Sequence, residues 1–145
     1  MNKTHEDYVS FEQAKALKEL EFDWEVVKGY SHFPGEKIKT FNAQEENVNA
    51  IYSKWCFAAP SLYQTQKWLR EVKKLDIDIT LFRDIDARRE PPKIKRYYNC
   101  EIAYSEDSED LYEDFDSYEE ALSSGINKAL ELLKQQSNNN QKKCS

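Results

Sequence analysis

Apolar positions three and four apart mark three helices along this chain, and positions two apart mark the strands between them. Phe11, Ala14, Leu17 and Leu20 recur every third residue behind Ser10 and Gln13, which stand in capping-box register, so a first helix is predicted over about Phe11 to Leu20. "WEVVKGY", Trp24 to Tyr30, is β-branched and aromatic and predicts a strand. Pro34-Gly35 marks a turn, after which "KIKTF" can return as a hairpin partner. The apolar "AIYSKWCFAA" leads to Pro60, read as the first residue of a second helix, "PSLYQTQKWLREVKK". Leu62, Thr65, Leu69 and Val72 share one stripe of it, with Trp68 alongside.

"LDIDITLF" alternates strictly, with Ile77, Ile79 and Leu81 on one face and Asp76, Asp78 and Thr80 on the other. Its expected partner is "KRYYNCEIAY", where Tyr98, Cys100, Ile102 and Tyr104 oppose Tyr97, Asn99, Glu101 and Ala103. "RDIDARREPPKIK" between them reads as an exposed loop, too long for a tight turn. The last helix starts after Ser117, whose capping box Glu120 completes, and buries Tyr118, Leu122, Gly125, Ile126, Ala129 and Leu133. Gly125 in mid-helix predicts a close approach of helix and sheet. The order of elements fits an α+β fold: a small, mostly antiparallel sheet with three helices packed on one face, a two-layer sandwich. Residues 1–136 are read as a single domain and the polar residues 137–145 as a disordered tail.

With 39% hydrophobic and 13% aromatic residues the chain can build a core despite a mean hydropathy of -0.89. Cys56, Cys100 and Cys144 are an odd count without metal-ligand spacing, which predicts neither a disulfide framework nor a zinc site. The N-terminus lacks an apolar signal-like run, and no stretch of about 18 apolar residues occurs, so a cytoplasmic location without membrane association is expected. Gly29, Gly35 and Gly125 are the only glycines, too few for a phosphate-cradling loop, and no cofactor is expected. His5 and His32 stand far from the cysteines and no nucleophile motif is present.

The net charge of -6 is local in origin. Nine of the sixteen residues from Ser105 to Glu120 are acidic, and the rest of the chain sums to +3. Asp114, Asp116, Glu119 and Glu120 are accounted for by the last helix, whose N-terminus favours negative charge. Glu106, Asp107, Glu109 and Asp110 are not, and with Tyr112 they form a candidate acidic interaction surface. An EF-hand site is excluded there by the absence of glycine from Ser105 to Ser124. Asp76 and Asp78, with Glu101 on the neighbouring strand, form a candidate Mg²⁺ constellation. The loop from Arg83 to Arg96 carries a net +3, with Arg88 and Arg89 its candidate contacts, at the opposite end of the strands from the acidic segment.

"YVSFEQAKALKELEFDWEV", "AAPSLYQTQKWLREVKKLDIDI", "YYNCEIAY" and "FDSYEEALSSGINKALELL" together resemble a group of small uncharacterised proteins of Bacteroidetes phages and prophages, over most of Tyr8 to Leu133. The resemblance implies a phage-related origin and an α+β fold, and it carries no catalytic residues over. The last helix also resembles the closing helix of a double-stranded RNA-binding domain, but Asp116, Glu119 and Glu120 stand where basic residues would meet phosphate, which excludes that reading. The expected function is a non-enzymatic protein-protein interaction module acting on a host or phage protein, with no direct nucleic-acid contact and with a homodimer compatible. An acidic nucleic-acid-mimic decoy in counter-defence and a small metal-dependent hydrolase are the alternatives.

Overall fold

The computed structural model describes residues 7–105 and 107–143, without the side chains of Tyr112 and of residues 139–143. The fold is α+β. Among the described residues the elements run α1 (Phe11–Glu19), β1 (Val26–Ser31), β2 (Lys39–Glu46), α2 (Val48–Ile51), β3 (Cys56–Ala58), α3 (Leu62–Val72), β4 (Leu75–Asp86), β5 (Lys93–Tyr104), β6 (Asp107–Phe115) and α4 (Tyr118–Lys143). The strands divide between two antiparallel three-stranded sheets, ordered β2-β1-β3 and β4-β5-β6, where the alternation pattern suggested one. The reason lies in β3, a short strand hidden in the approach to Pro60, which pairs with β1 and completes a sheet before β4 begins. Beside the expectation of one domain over 1–136, the chain forms two compact units, 1–65 and 66–145, each holding one sheet.

In the first unit, the predicted capping box starts α1. The Gln13 backbone N–H donates to Ser10 Oγ at 3.2 Å, and the Ser10 N–H donates to Gln13 Oε1 at 2.8 Å. Its buried face, Ala14 and Leu17, joins Val9, Phe22, Val26, Val48 and Ala58 in the core. The Phe11 ring meets those of Tyr30 and Phe57 edge-on at 5.8 and 5.3 Å, which sets α1 against β1 and β3. Lys18 Nζ donates to the carbonyls of Cys56 at 2.7 Å and Lys54 at 3.2 Å, and burial lowers its pKa. The Asn49 amide ties α2 to both sides, donating to the Phe22 carbonyl at 3.0 Å and accepting from the Ala58 N–H at 2.9 Å. The second predicted helix starts two residues late: Ser61 Oγ accepts the Gln64 N–H at 3.1 Å, so the serine caps α3 and Pro60 precedes it. Leu62, Thr65, Trp68 and Leu69 are buried as the stripe predicts, whereas Val72 is exposed.

The C-terminus of α1 closes with paired bonds, Glu21 N–H to the Lys18 carbonyl and Phe22 N–H to the Leu17 carbonyl, both 3.0 Å, with Glu21 at φ 66°. A residue with a Cβ is disfavoured at this left-handed position, which glycine adopts freely. Glu21→Gly is therefore expected to stabilise the protein by about 0.5 kcal/mol, the backbone gain being partly offset by the looser unfolded chain. Urea denaturation measures it, and an unchanged or lower midpoint would show that the Glu21 side chain holds the turn through contacts of its own.

In the second unit, β4 and β5 pair residue for residue from Leu75↔Tyr104 to Asp86↔Lys93. The long loop expected between them is thus mostly strand, leaving a connection over residues 87–92. The acidic segment, expected as a corner leading into the last helix, pairs with β5 from Tyr104↔Asp107 to Tyr98↔Phe115 and forms the edge strand β6. Four residues of β6 span the interval that two of β5 cover between Cys100↔Leu111 and Tyr98↔Phe115, a bulge that keeps Leu111 and Phe115 on one face. α4 lies on this sheet through Ala121, Leu122, Gly125, Ile126, Ala129 and Leu130. It begins as predicted, with the Glu120 N–H donating to Ser117 Oγ at 3.1 Å. It then runs to Lys143, through much of the segment expected to be a disordered tail. Ser137 and Asn138 to Asn140 are weak helix formers, but once the buried first half has formed each further residue adds a hydrogen bond without a new nucleus.

Candidate interaction surface

Alternation on β4 and β5 assigns each side chain to a face. Ile77 and Ile102 are buried under α4, so Leu81, Arg83, Ile85, Ile94 and Arg96 follow on the same side further along the hairpin. α4 reaches only as far as Tyr98, whose ring meets that of Tyr118 edge-on at 6.1 Å. Beyond it the hairpin continues as a two-stranded arm whose apolar side chains are exposed: Leu81 is 39%, Phe82 42%, Ile85 65% and Ile94 57% exposed. On the opposite face the Phe82 and Tyr97 rings stack at 5.5 Å with 13° between planes. Lys95 Nζ lies 5.7 Å from the Tyr97 centroid and 3.8 Å from Asp114 Oδ2. The Tyr97 hydroxyl is held above its ordinary pKa by desolvation first, then by the Asp84 and Asp114 carboxylates.

Arg88 and Arg89 sit at the tip of the arm, but Asp86 occupies part of their charge. Its Oδ1 lies 3.5 Å from Arg88 Nε and accepts the Arg88 backbone N–H at 3.2 Å, and its Oδ2 lies 4.0 Å from Arg89 Nε. The predicted acidic residues lie at the other end of the sheet. Asp110 pairs with Glu101, eight residues along β5 from Lys93, or roughly 26 Å at about 3.3 Å per residue. Glu106 and the side chain of Tyr112 lie outside the described residues, as do His5 and Cys144. Asp107 and Asp110 are exposed. Glu109 turns towards α4, its Oε1 4.0 Å from Lys128 Nζ and its Oε2 buried without a hydrogen-bond partner among the described residues. A groove of about 440 Å³ runs there between β6 and α4, lined by Glu109, Asp110, Glu113, Lys128 and Glu131 among others. Among the described residues the structure therefore gathers Asp107, Glu109 and Asp110 at one end and Arg88 and Arg89 at the other, with nothing that joins them into one site.

The candidate metal constellation is in register but does not converge. Asp78 faces Glu101, which faces Asp110, making a row of carboxylates across three strands, while Asp76 faces Ala103. Among the described residues no three His, Cys, Asp or Glu side chains come close enough together to hold a metal ion. Nor is any helix among them long and apolar enough to cross a membrane.

The arm itself escaped the sequence reading, although its signal was present. The odd-numbered alternation of Ile77, Ile79 and Leu81 continues through Ile85, and Ile94 faces it across the hairpin, but the charges around them made the segment read as a loop. Compared with protein-family models, with curated proteins and with solved structures, the chain matches none of them.

Proposed function

We propose that this chain is a non-enzymatic, phage-related interaction module of the cytoplasm that binds a host or phage protein, with the β4–β5 arm as its contact element. The observation that carries the proposal is the exposed pair Ile85 and Ile94 on the two-stranded hairpin, with Phe82 and Leu81 behind them. Apolar groups gathered on an exposed element favour burial against a partner, and cross-strand pairing over the whole hairpin gives that partner a preformed shape.

A second reading, an acidic decoy for a nucleic-acid-binding protein, draws on the row Asp78, Glu101, Asp110, carried on neighbouring strands whose backbones lie about 4.8 Å apart. One affinity capture from host lysate separates the two. The arm variant Phe82→Ser/Ile85→Thr/Ile94→Thr is expected to lose a partner that the wild-type chain enriches, while Asp78→Asn/Glu101→Gln/Asp110→Asn retains it. Loss in the acidic variant alone would replace the module by the decoy, and retention in both, or no reproducible partner, would refute the arm.

A further inference from the structure

Resting on the arm as the contact element, we infer that its partner is an acidic protein segment, one whose carboxylates alternate with aliphatic or aromatic residues, received on the face of Arg83, Ile85, Ile94 and Arg96. Arg83 and Arg96 face each other directly across the hairpin. Like charges directly opposite in a sheet destabilise it. Neither guanidinium has a hydrogen-bond or ion-pair partner among the described residues. The other face of the same arm is balanced pair by pair, Asp84 opposite Lys95 and Asp86 opposite Lys93. Only one face is left with uncompensated cations, and it is the face that also carries the exposed isoleucines.

The order along that face is Leu81↔Tyr98, Arg83↔Arg96, Ile85↔Ile94: apolar, doubly cationic, apolar. A carboxylate received between two guanidinium forks gains paired, charge-assisted hydrogen bonds, and an apolar neighbour on the same segment covers Ile85 and Ile94. A nucleic-acid backbone satisfies only the middle of this pattern. It needs a track of cations, whereas here apolar pairs flank a single cationic one and Asp86 already engages Arg88 and Arg89.

Fluorescence anisotropy with a labelled peptide of alternating Glu and Leu tests the inference, alongside its Gln-Leu counterpart, a labelled DNA duplex and vesicles containing anionic lipid. The Glu-Leu peptide is expected to bind more tightly than the others, to weaken as salt rises, and to lose at least tenfold in affinity with Arg83→Gln/Arg96→Gln and with Ile85→Thr/Ile94→Thr. Arg83→Glu, which sets opposite charges across the hairpin, is expected to melt no lower than wild type while losing the peptide. Equal binding of the Glu-Leu and Gln-Leu peptides, tighter binding of DNA or vesicles, no peptide binding, or a lowered melting temperature for Arg83→Glu would each overturn it. If the lysate partner is lost with the isoleucine variant but kept with the arginine variant, the arm stands as contact element and the acidic partner does not.

Discussion

Gly125→Ala is expected to destabilise the second unit by about 1 to 2 kcal/mol, against the gain of about 1 kcal/mol that alanine brings to a helix interior. A Cβ at this position would stand 2.6 Å from Cys100 Sγ and 2.8 Å from Ile77 Cγ2. Both neighbours are buried on paired strands, β5 and β4, so neither yields as a surface side chain would. Relieving the overlap means moving α4 off the sheet that it covers with Leu122, Ile126 and Ala129, or forcing strand side chains out of their rotamers. Gly125→Val, larger and β-branched, is expected to cost about 3 kcal/mol or more. Urea denaturation followed by circular dichroism measures both. Combining Gly125→Ala with Cys100→Ala removes the nearer contact and is expected to recover part of the loss, so the two changes couple in a double-mutant cycle. A stabilising Gly125→Ala would mean that helix propensity outweighs packing and that the helix does not need its close seat on the sheet.

That glycine was legible in the sequence, as were the capping box of Ser10, the serine cap at Ser117 and the alternation that pairs β4 with β5. Each rests on a local rule that tertiary contacts reinforce: a serine three residues before a donor N–H, an aliphatic at every second position, a missing Cβ amid a buried helical stripe. The failures share a cause as well. β6 is an edge strand with few apolar residues, and Asp107, Glu109, Asp110, Glu113 and Asp114 are poor strand formers that an edge tolerates because charge there discourages further pairing. β3 is too short for periodicity to register, yet it decides that there are two sheets. In the sequence Arg83 and Arg96 are two charges among many in a polar stretch, and only the register shows that they oppose each other while every neighbouring cation on β5 faces an aspartate. Placement in a chain can be read from spacing, whereas juxtaposition across strands needs the register.

Stability is expected to fall as pH rises above about 9, by roughly 2 to 3 kcal/mol once the Cys100 thiol has titrated in both states. Cys100 is buried at the centre of β5 beneath Gly125, and its thiol is pushed up to about 11 from an ordinary value of 9.0 by burial first and by the nearby Asp78 carboxylate second. The unfolded chain releases this proton near pH 9 while the folded chain holds it to about pH 11, so between those values the folded state binds more protons. A group of this kind contributes its full stability below the unfolded pKa and loses it as pH rises through the folded one. Tyr30, Tyr52 and Tyr97, also raised, add pH dependence of the same sign, so the comparison is with Cys100→Ala, in which they remain and the thiol is gone. The variant starts less stable at neutral pH by about 1 kcal/mol for the lost sulfur contacts, and its curve should run flatter towards about pH 10.5, closing the gap. Parallel curves for wild type and Cys100→Ala would mean that solvent reaches the thiol in the folded state, and the close seating of α4 on β5 would fail with it.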